Sequence, residues 1–122
     1  MKSINRIVLA LSLTLLSMNS IAEECICSSP SICWEIYINY LKSSNSANAL
    51  KCTSRAAYNN TKALIQSGRD NITDFTNHYF QLHDIKYIGD KFAEAYILSE
   101  TKNNAAAVVF IKNNNNWKID QL

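Results

Sequence analysis

The stretch AAAVVFIK (105–112), followed by NNNN (113–116) and WKIDQ (117–121), decides the fold. Val108, Val109, Phe110 and Ile111 are β-branched or aromatic, with no Gly or Pro between them, as a strand requires. Asn tolerates the left-handed backbone, so Asn113–Asn116 reads as a turn and Trp117–Gln121 as the returning strand. Working back along the chain, Thr101–Asn104 is a second turn and Lys91–Ser99 a further strand. Gly89-Asp90 makes a hairpin turn, and the chain can alternate from about His78 to Ile88. Four short strands joined by turns form an antiparallel meander.

Upstream the period changes from two to 3.6. Ser29-Pro30 supplies a cap and a first-turn proline. Trp34, Tyr37, Ile38 and Leu41 then recur at i, i+3, i+4 and i+7, with Glu35, Asn39 and Lys42 on the other side. The polar run Ser43–Ser46 ends this helix. Ala47–Ser67 reads as one broken or two short helices, with Ala57, Thr61, Leu64 and Ile65 on one face and Gly68 as the C-terminal cap. Asn71–Asn77 fits either a short helical turn or a loop. Helices followed by a meander give an α+β domain, with the N-terminal helices packed on a curved four-stranded antiparallel sheet.

The third strand is apolar on both faces. Ala106, Val108 and Phe110 lie on one, and Ala105, Ala107, Val109 and Ile111 on the other. A sheet covered on one side alternates more cleanly. Either a second copy of the chain covers the outer face, giving a homodimer through the sheet, or small alanines are tolerated outside.

The chain opens with Lys2 and Arg6, an apolar run from Ile7 to Leu16, and the small-x-small pattern Ser20-Ile21-Ala22. This reads as a signal peptide, residues 1–22, cleaved after Ala22. The run is shorter than the roughly 20 residues of a membrane span. Glu23 and Glu24 before Cys25 do not suit a lipoprotein signal, so no stable membrane anchor is expected. The mature chain, 23–122, is expected to be one exported domain, periplasmic or secreted. Losing Lys2 and Arg6 takes twelve basic residues to ten, equal to the ten acidic ones. A neutral chain offers no stripe for a phosphate backbone, so nucleic acid is not an expected partner.

Cys25, Cys27, Cys33 and Cys52 all fall early in the mature chain. In an exported protein an even count reads as disulfides. Of three pairings, two avoid the strained Cys25–Cys27 ring, and both stay open. A bond from Cys25 or Cys27 to Cys52 closes a loop of roughly 25 residues, contributing about 3–4 kcal/mol in the chain-entropy model. A thiolate site for copper(I) or zinc is the competing use of a Cys-x-Cys pair. Scarce His and the one-residue spacing argue against it, so neither metal nor other cofactor is expected.

The order of elements and the tail Ala106-Ala107-Val108-Val109-Phe110-Ile111-Lys112, an Asn-rich turn, then Trp117-Lys118-Ile119-Asp120 resemble small cystatin-like or nuclear transport factor 2-like domains, including secreted lumazine-binding-like members. The resemblance covers about residues 31–122, and only the ending is specific. It implies helices packed into the hollow of a curved, cone-like sheet. That superfamily holds isomerases, cyclases, small-molecule binders, interaction modules and immunity proteins, so fold does not select function.

Isomerase-type chemistry requires a carboxylate base in an apolar pocket and neutral donors for an oxyanion. Glu94, flanked on its strand face by Phe92, Tyr96 and Leu98, is the candidate base, with Tyr79, His83 or Tyr87 as donors. An open-face Glu in water would give the same pattern. His83 and Asp84 are neighbours on a strand and point to opposite faces. His83 would align with Tyr79, Gln81, Ile85 and Tyr87, a mixed face suited to a ligand or partner and equally to an amphipathic strand. Nucleophilic catalysis has no Gly-x-Ser-x-Gly elbow. Phosphate cradling lacks glycine, since the chain has only two. Trp34 and Trp117 read as core residues.

The expectation is therefore a non-catalytic exported binding protein whose partner is another protein or a small apolar ligand. An immunity-type inhibitor of a toxin is the concrete version, with Tyr79, Gln81, His83, Tyr87, Glu94 and Tyr96 as the binding set. The alternative is an isomerase- or cyclase-like enzyme built on Glu94.

Overall fold

A computed structural model describes residues 25–98 and 105–122. The expected leader and the Thr101–Asn104 turn lie outside these residues. Helices α1 (Pro30–Lys42), α2 (Ser46–Lys51), α3 (Arg55–Gln66) and α4 (Arg69–His78) precede strands β1 (His83–Ile88), β2 (Phe92–Leu98), β3 (Ala105–Asn113) and β4 (Asn116–Gln121). The strands form one antiparallel sheet in the order β1-β2-β3-β4. This is the expected α+β architecture, with helices packed on one face of an open sheet.

Helix α1 starts as its sequence dictates. The Ser29 hydroxyl accepts from the Ile32 amide at 3.2 Å, and Pro30 takes the first position, where no amide hydrogen is needed. The i, i+3, i+4, i+7 stripe of Trp34, Tyr37, Ile38 and Leu41 is buried. It joins Ala93, Ala95, Ile97, Val108, Phe110 and Ile119 in one core. Burial of each large side chain contributes about 1.5–3 kcal/mol. At the other end of α1, Arg69 donates to the carbonyls of Leu41 (2.8 Å) and Lys42, satisfying acceptors that the helix leaves open.

The region 47–67 resolves into two helices. Gly68 follows the second with φ 112°, a value L residues seldom adopt, and the next helix begins at once. The ambiguous 71–77 stretch is helical throughout: Ile72 and Thr76 turn inward, and Phe75 packs against the core. The alternation expected from His78 therefore starts only at His83, because α4 holds the chain to His78. Tyr79 ends that helix and accepts a 3.0 Å hydrogen bond from the Trp34 indole on its carbonyl.

The Asn-rich turn behaves as its composition demands. Asn113 pairs with Asn116, and the two residues between, Asn114 and Asn115, take φ 53° and 64°. A two-residue hairpin loop of this hand matches the strand twist. Between β1 and β2, Ile88 pairs with Phe92 across a three-residue loop in which Gly89 takes φ 65°.

The register assigns the faces. Ala93 pairs with Phe110, Ala95 with Val108 and Phe110 with Ile119, all buried toward the helices. Phe92, Glu94, Tyr96 and Leu98 face the other way, opposite Ile111, Val109, Ala107 and Ala105. Tyr87, beside Ala93 in the register, reaches over the inner face to place its ring 5.9 Å from Trp117 on the far strand.

Strand β4 would be an open edge, with unpaired amides and carbonyls. Two upstream segments close it. Cys27 accepts from the Trp117 amide at 3.1 Å, and the Asn116 side chain takes the Cys27 amide (2.7 Å) while donating to the Cys25 carbonyl (3.2 Å). Farther along, Ile119 donates to Cys52 and accepts from Ser54, both at 2.8 Å. The Cys25–Cys52 disulfide ties these two segments together.

Candidate functional site

The six residues expected to form one binding set divide among four places. A bulge lies between His83 and Lys86, with Asp84 at φ 53°. The extra residue shifts the phase of β1, as bulges do. His83 is consequently opposite Tyr96 and Lys86 opposite Glu94, all on the outer face, whereas Tyr87 falls on the inner face. Tyr79 belongs to the end of α4, where its ring stacks 5.4 Å from Phe75. Gln81 is exposed in the link before β1. A continuous face through Tyr79, Gln81, His83, Ile85 and Tyr87 does not form, because it assumed an unbroken strand.

The outer face gathers His83, Glu94 and Tyr96, and adds Lys86, Ile88 and Phe92. Ile88 is 50% exposed, and Phe92 and Tyr96 are each 38% exposed. Three large apolar or aromatic side chains thus share one sheet face with a His, a Lys and a Glu. Glu94 is half-buried, opposite Val109 on one side and Lys86 on the other. It lies on the face away from the helices rather than among the side chains that fill the inner face. On β3 the outer positions are exposed Ala105 and Ala107, half-buried Val109 and buried Ile111. Ile111 is shielded without joining the helix-side core.

A shallow groove of about 290 Å³ runs along the solvent side of α1, lined by Glu35, Ile38, Asn39, Lys42 and Phe80. None of the expected site residues lines it. Asp74 and His78 meet at 3.2 Å across one turn of α4, which helix geometry alone accounts for.

The cysteines are brought together completely. Cys25 is bonded to Cys52, one of the pairings left open, while Cys27 and Cys33 are buried thiols. The sulfurs of Cys25, Cys27 and Cys33 all lie within 4.8 Å of one another. The neighbouring Cys33 thiol lowers the Cys27 pKa, burial opposes this, and Lys118 adds to the lowering. Cys27 beside it, with burial, raises the Cys33 pKa, and the Cys33 thiol donates to the Cys52 carbonyl at 4.0 Å.

One cluster escaped the sequence reading. Asp120 is buried, accepts from the Ser54 hydroxyl at 2.9 Å and pairs with Arg55 at 3.2 Å. It sits in a second bulge, where Val109 opposes Gln121 and Phe110 opposes Ile119. Arg55 holds φ 49° at the start of α3. An acidic residue ending an amphipathic strand carries no signal of this; the bulge puts it inside. No helix among the described residues is long and apolar enough to cross a membrane. Comparison with known protein families, characterised proteins and solved structures gave no match.

Proposed function

We propose that the protein is a non-catalytic exported binding protein that engages another protein through the outer face of its sheet. The observation that carries this reading is the joint exposure of Ile88, Phe92 and Tyr96 on one face. Exposed aromatic and aliphatic clusters interleaved with charge are the usual anchors of protein interfaces. The inner face is filled by Trp34, Tyr37, Ile38 and Leu41, which favours a protein partner over a small apolar ligand. An immunity-type inhibitor that covers a toxin is the concrete version, and the expected export leader and the Cys25–Cys52 disulfide agree with it. The cystatin-like or nuclear transport factor 2-like resemblance is compatible with that role. The isomerase-like alternative asks for an enclosed carboxylate, and Glu94 lies on the outer face.

The test is affinity capture from an extract of the producing cell's exported fraction and from competitor culture medium. Wild-type bait is run against a Phe92→Glu/Tyr96→Glu variant with the same melting temperature. The expected result is a discrete protein retained by wild type and lost, at least tenfold, with the variant. Retention that ignores the substitutions overturns the reading.

A further inference from the structure

The four sulfurs hold a feature that partner binding does not use. Cys25 and Cys52 share a bond, but the Cys27 sulfur lies 3.4 Å from that of Cys25 and within 4.8 Å of that of Cys33. Cys27 and Cys33 are each 0% exposed. Cys27 is fixed on the segment that closes β4, and Cys33 is fixed in the first turns of α1. Two buried thiols whose sulfurs lie within 4.8 Å of each other are close enough for a disulfide to form between them.

We propose that Cys27 and Cys33 form a second disulfide in the exported protein, and that this bond protects the first. In the oxidation, the Cys27 thiolate attacks a low-molecular-weight or protein disulfide, expelling one thiolate and leaving a mixed disulfide. Cys33 gives up its proton and attacks the Cys27 sulfur, expelling the second thiolate. One external disulfide becomes two thiols, the two protons move to the leaving sulfurs, and Cys27–Cys33 gains one S–S bond. Burial in the closed structure means that this happens while the Cys25–Cys27 segment is still off β4.

The protective role follows from position. As a thiolate, Cys27, 3.4 Å away, is placed to attack Cys25 and release Cys52 as thiolate, at the cost of closing the strained Cys25–Cys27 ring. That exchange needs no external reagent, and it would unclamp the two segments that close β4. The adjacent Cys33 thiol, with help from Lys118 and against burial, favours the attacking thiolate. Oxidation to Cys33 removes that nucleophile. A metal held by all three clustered sulfurs, the competing use, would require the Cys25–Cys52 bond to be reduced.

The test is intact mass of the mature protein, purified after export without reductant and alkylated under denaturing conditions. The expected product takes up no alkylating agent and is lighter than its reduced form by four hydrogen atoms. Fragmentation through Ile26 should link Cys27 to Cys33 and Cys25 to Cys52. Two alkylated thiols, a Cys25–Cys33 with Cys27–Cys52 pattern, or four thiols with retained zinc or copper would each overturn it. A second variant tests protection. Cys33→Ser, held folded at mild alkaline pH, should accumulate Cys27-linked isomers that wild type does not form. A Cys33→Ser protein that keeps only the Cys25–Cys52 bond would sink the protective role.

Discussion

Tyr37 shows how single residues set stability. Its hydroxyl is buried against Thr61, 2.7 Å away, joining α1 to α3. Burial pushes its pKa up to about 12, against 10.0 for a free tyrosine, with the Thr61 hydrogen bond opposing the shift. As pH rises through this window the unfolded chain releases the proton first, so the native state loses stability between about pH 10 and 12. Denaturant melts should show a loss on the order of 2 kcal/mol across it. Tyr37→Phe should flatten that decline and cost about 1 kcal/mol at neutral pH, because the Thr61 hydroxyl loses a partner. Asp120 is the second such residue. Asp120→Ala leaves the Ser54 hydroxyl without its acceptor and removes the partner of exposed Arg55, and should destabilise by about 1–2 kcal/mol in the same melts, and an unchanged midpoint would refute the role assigned to it. The burial of Tyr37 was legible in the helical stripe, whereas that of Asp120 was not, because it depends on a bulge whose register no local pattern encodes.

At the scale of elements, the edge of β4 is where the N-terminal third of the domain meets the sheet. The Cys25–Cys52 bond spans 27 residues, for which chain entropy gives about 3–4 kcal/mol. A Cys25→Ser/Cys52→Ser variant should lose about that much stability. Faster hydrogen exchange at the Trp117 and Ile119 amides, whose acceptors are Cys27 and Cys52, should accompany it. Protection unchanged at those amides would show that the bond does not hold the edge. Most elements were readable because one signal dominated each: a stripe in α1, left-handed asparagines before β4, a glycine after β1. Residues 69–82 were not. Helix α4 has only Ile72, Phe75 and Thr76 turned inward, too few to outweigh a strand reading beginning at His78. The bulge at Asp84 then reversed the face of Tyr87, since one extra residue inverts a period of two.

For the whole molecule, the helices cover one side of the sheet and leave the other to carry Ile88, Phe92 and Tyr96 into solvent. The sequence pointed to an apolar outer side through Ala105, Ala107, Val109 and Ile111. Which strands would flank it, and which residues would stand proud, required the register. Phe92→Glu and Tyr96→Glu remove exposed apolar surface, so thermal midpoints should shift by no more than the equivalent of about 0.5 kcal/mol, while partner capture falls. The central claim is that this face is the one occupied in the cell. A photo-crosslinking residue at Phe92, compared with one at Tyr58 on the helix side, where the side chain is 40% exposed, tests it most directly. The account predicts a discrete adduct with a different protein from position 92 and none from position 58. Adducts from position 58 alone, equal adducts from both, or a species of only twice the chain's own mass would contradict it.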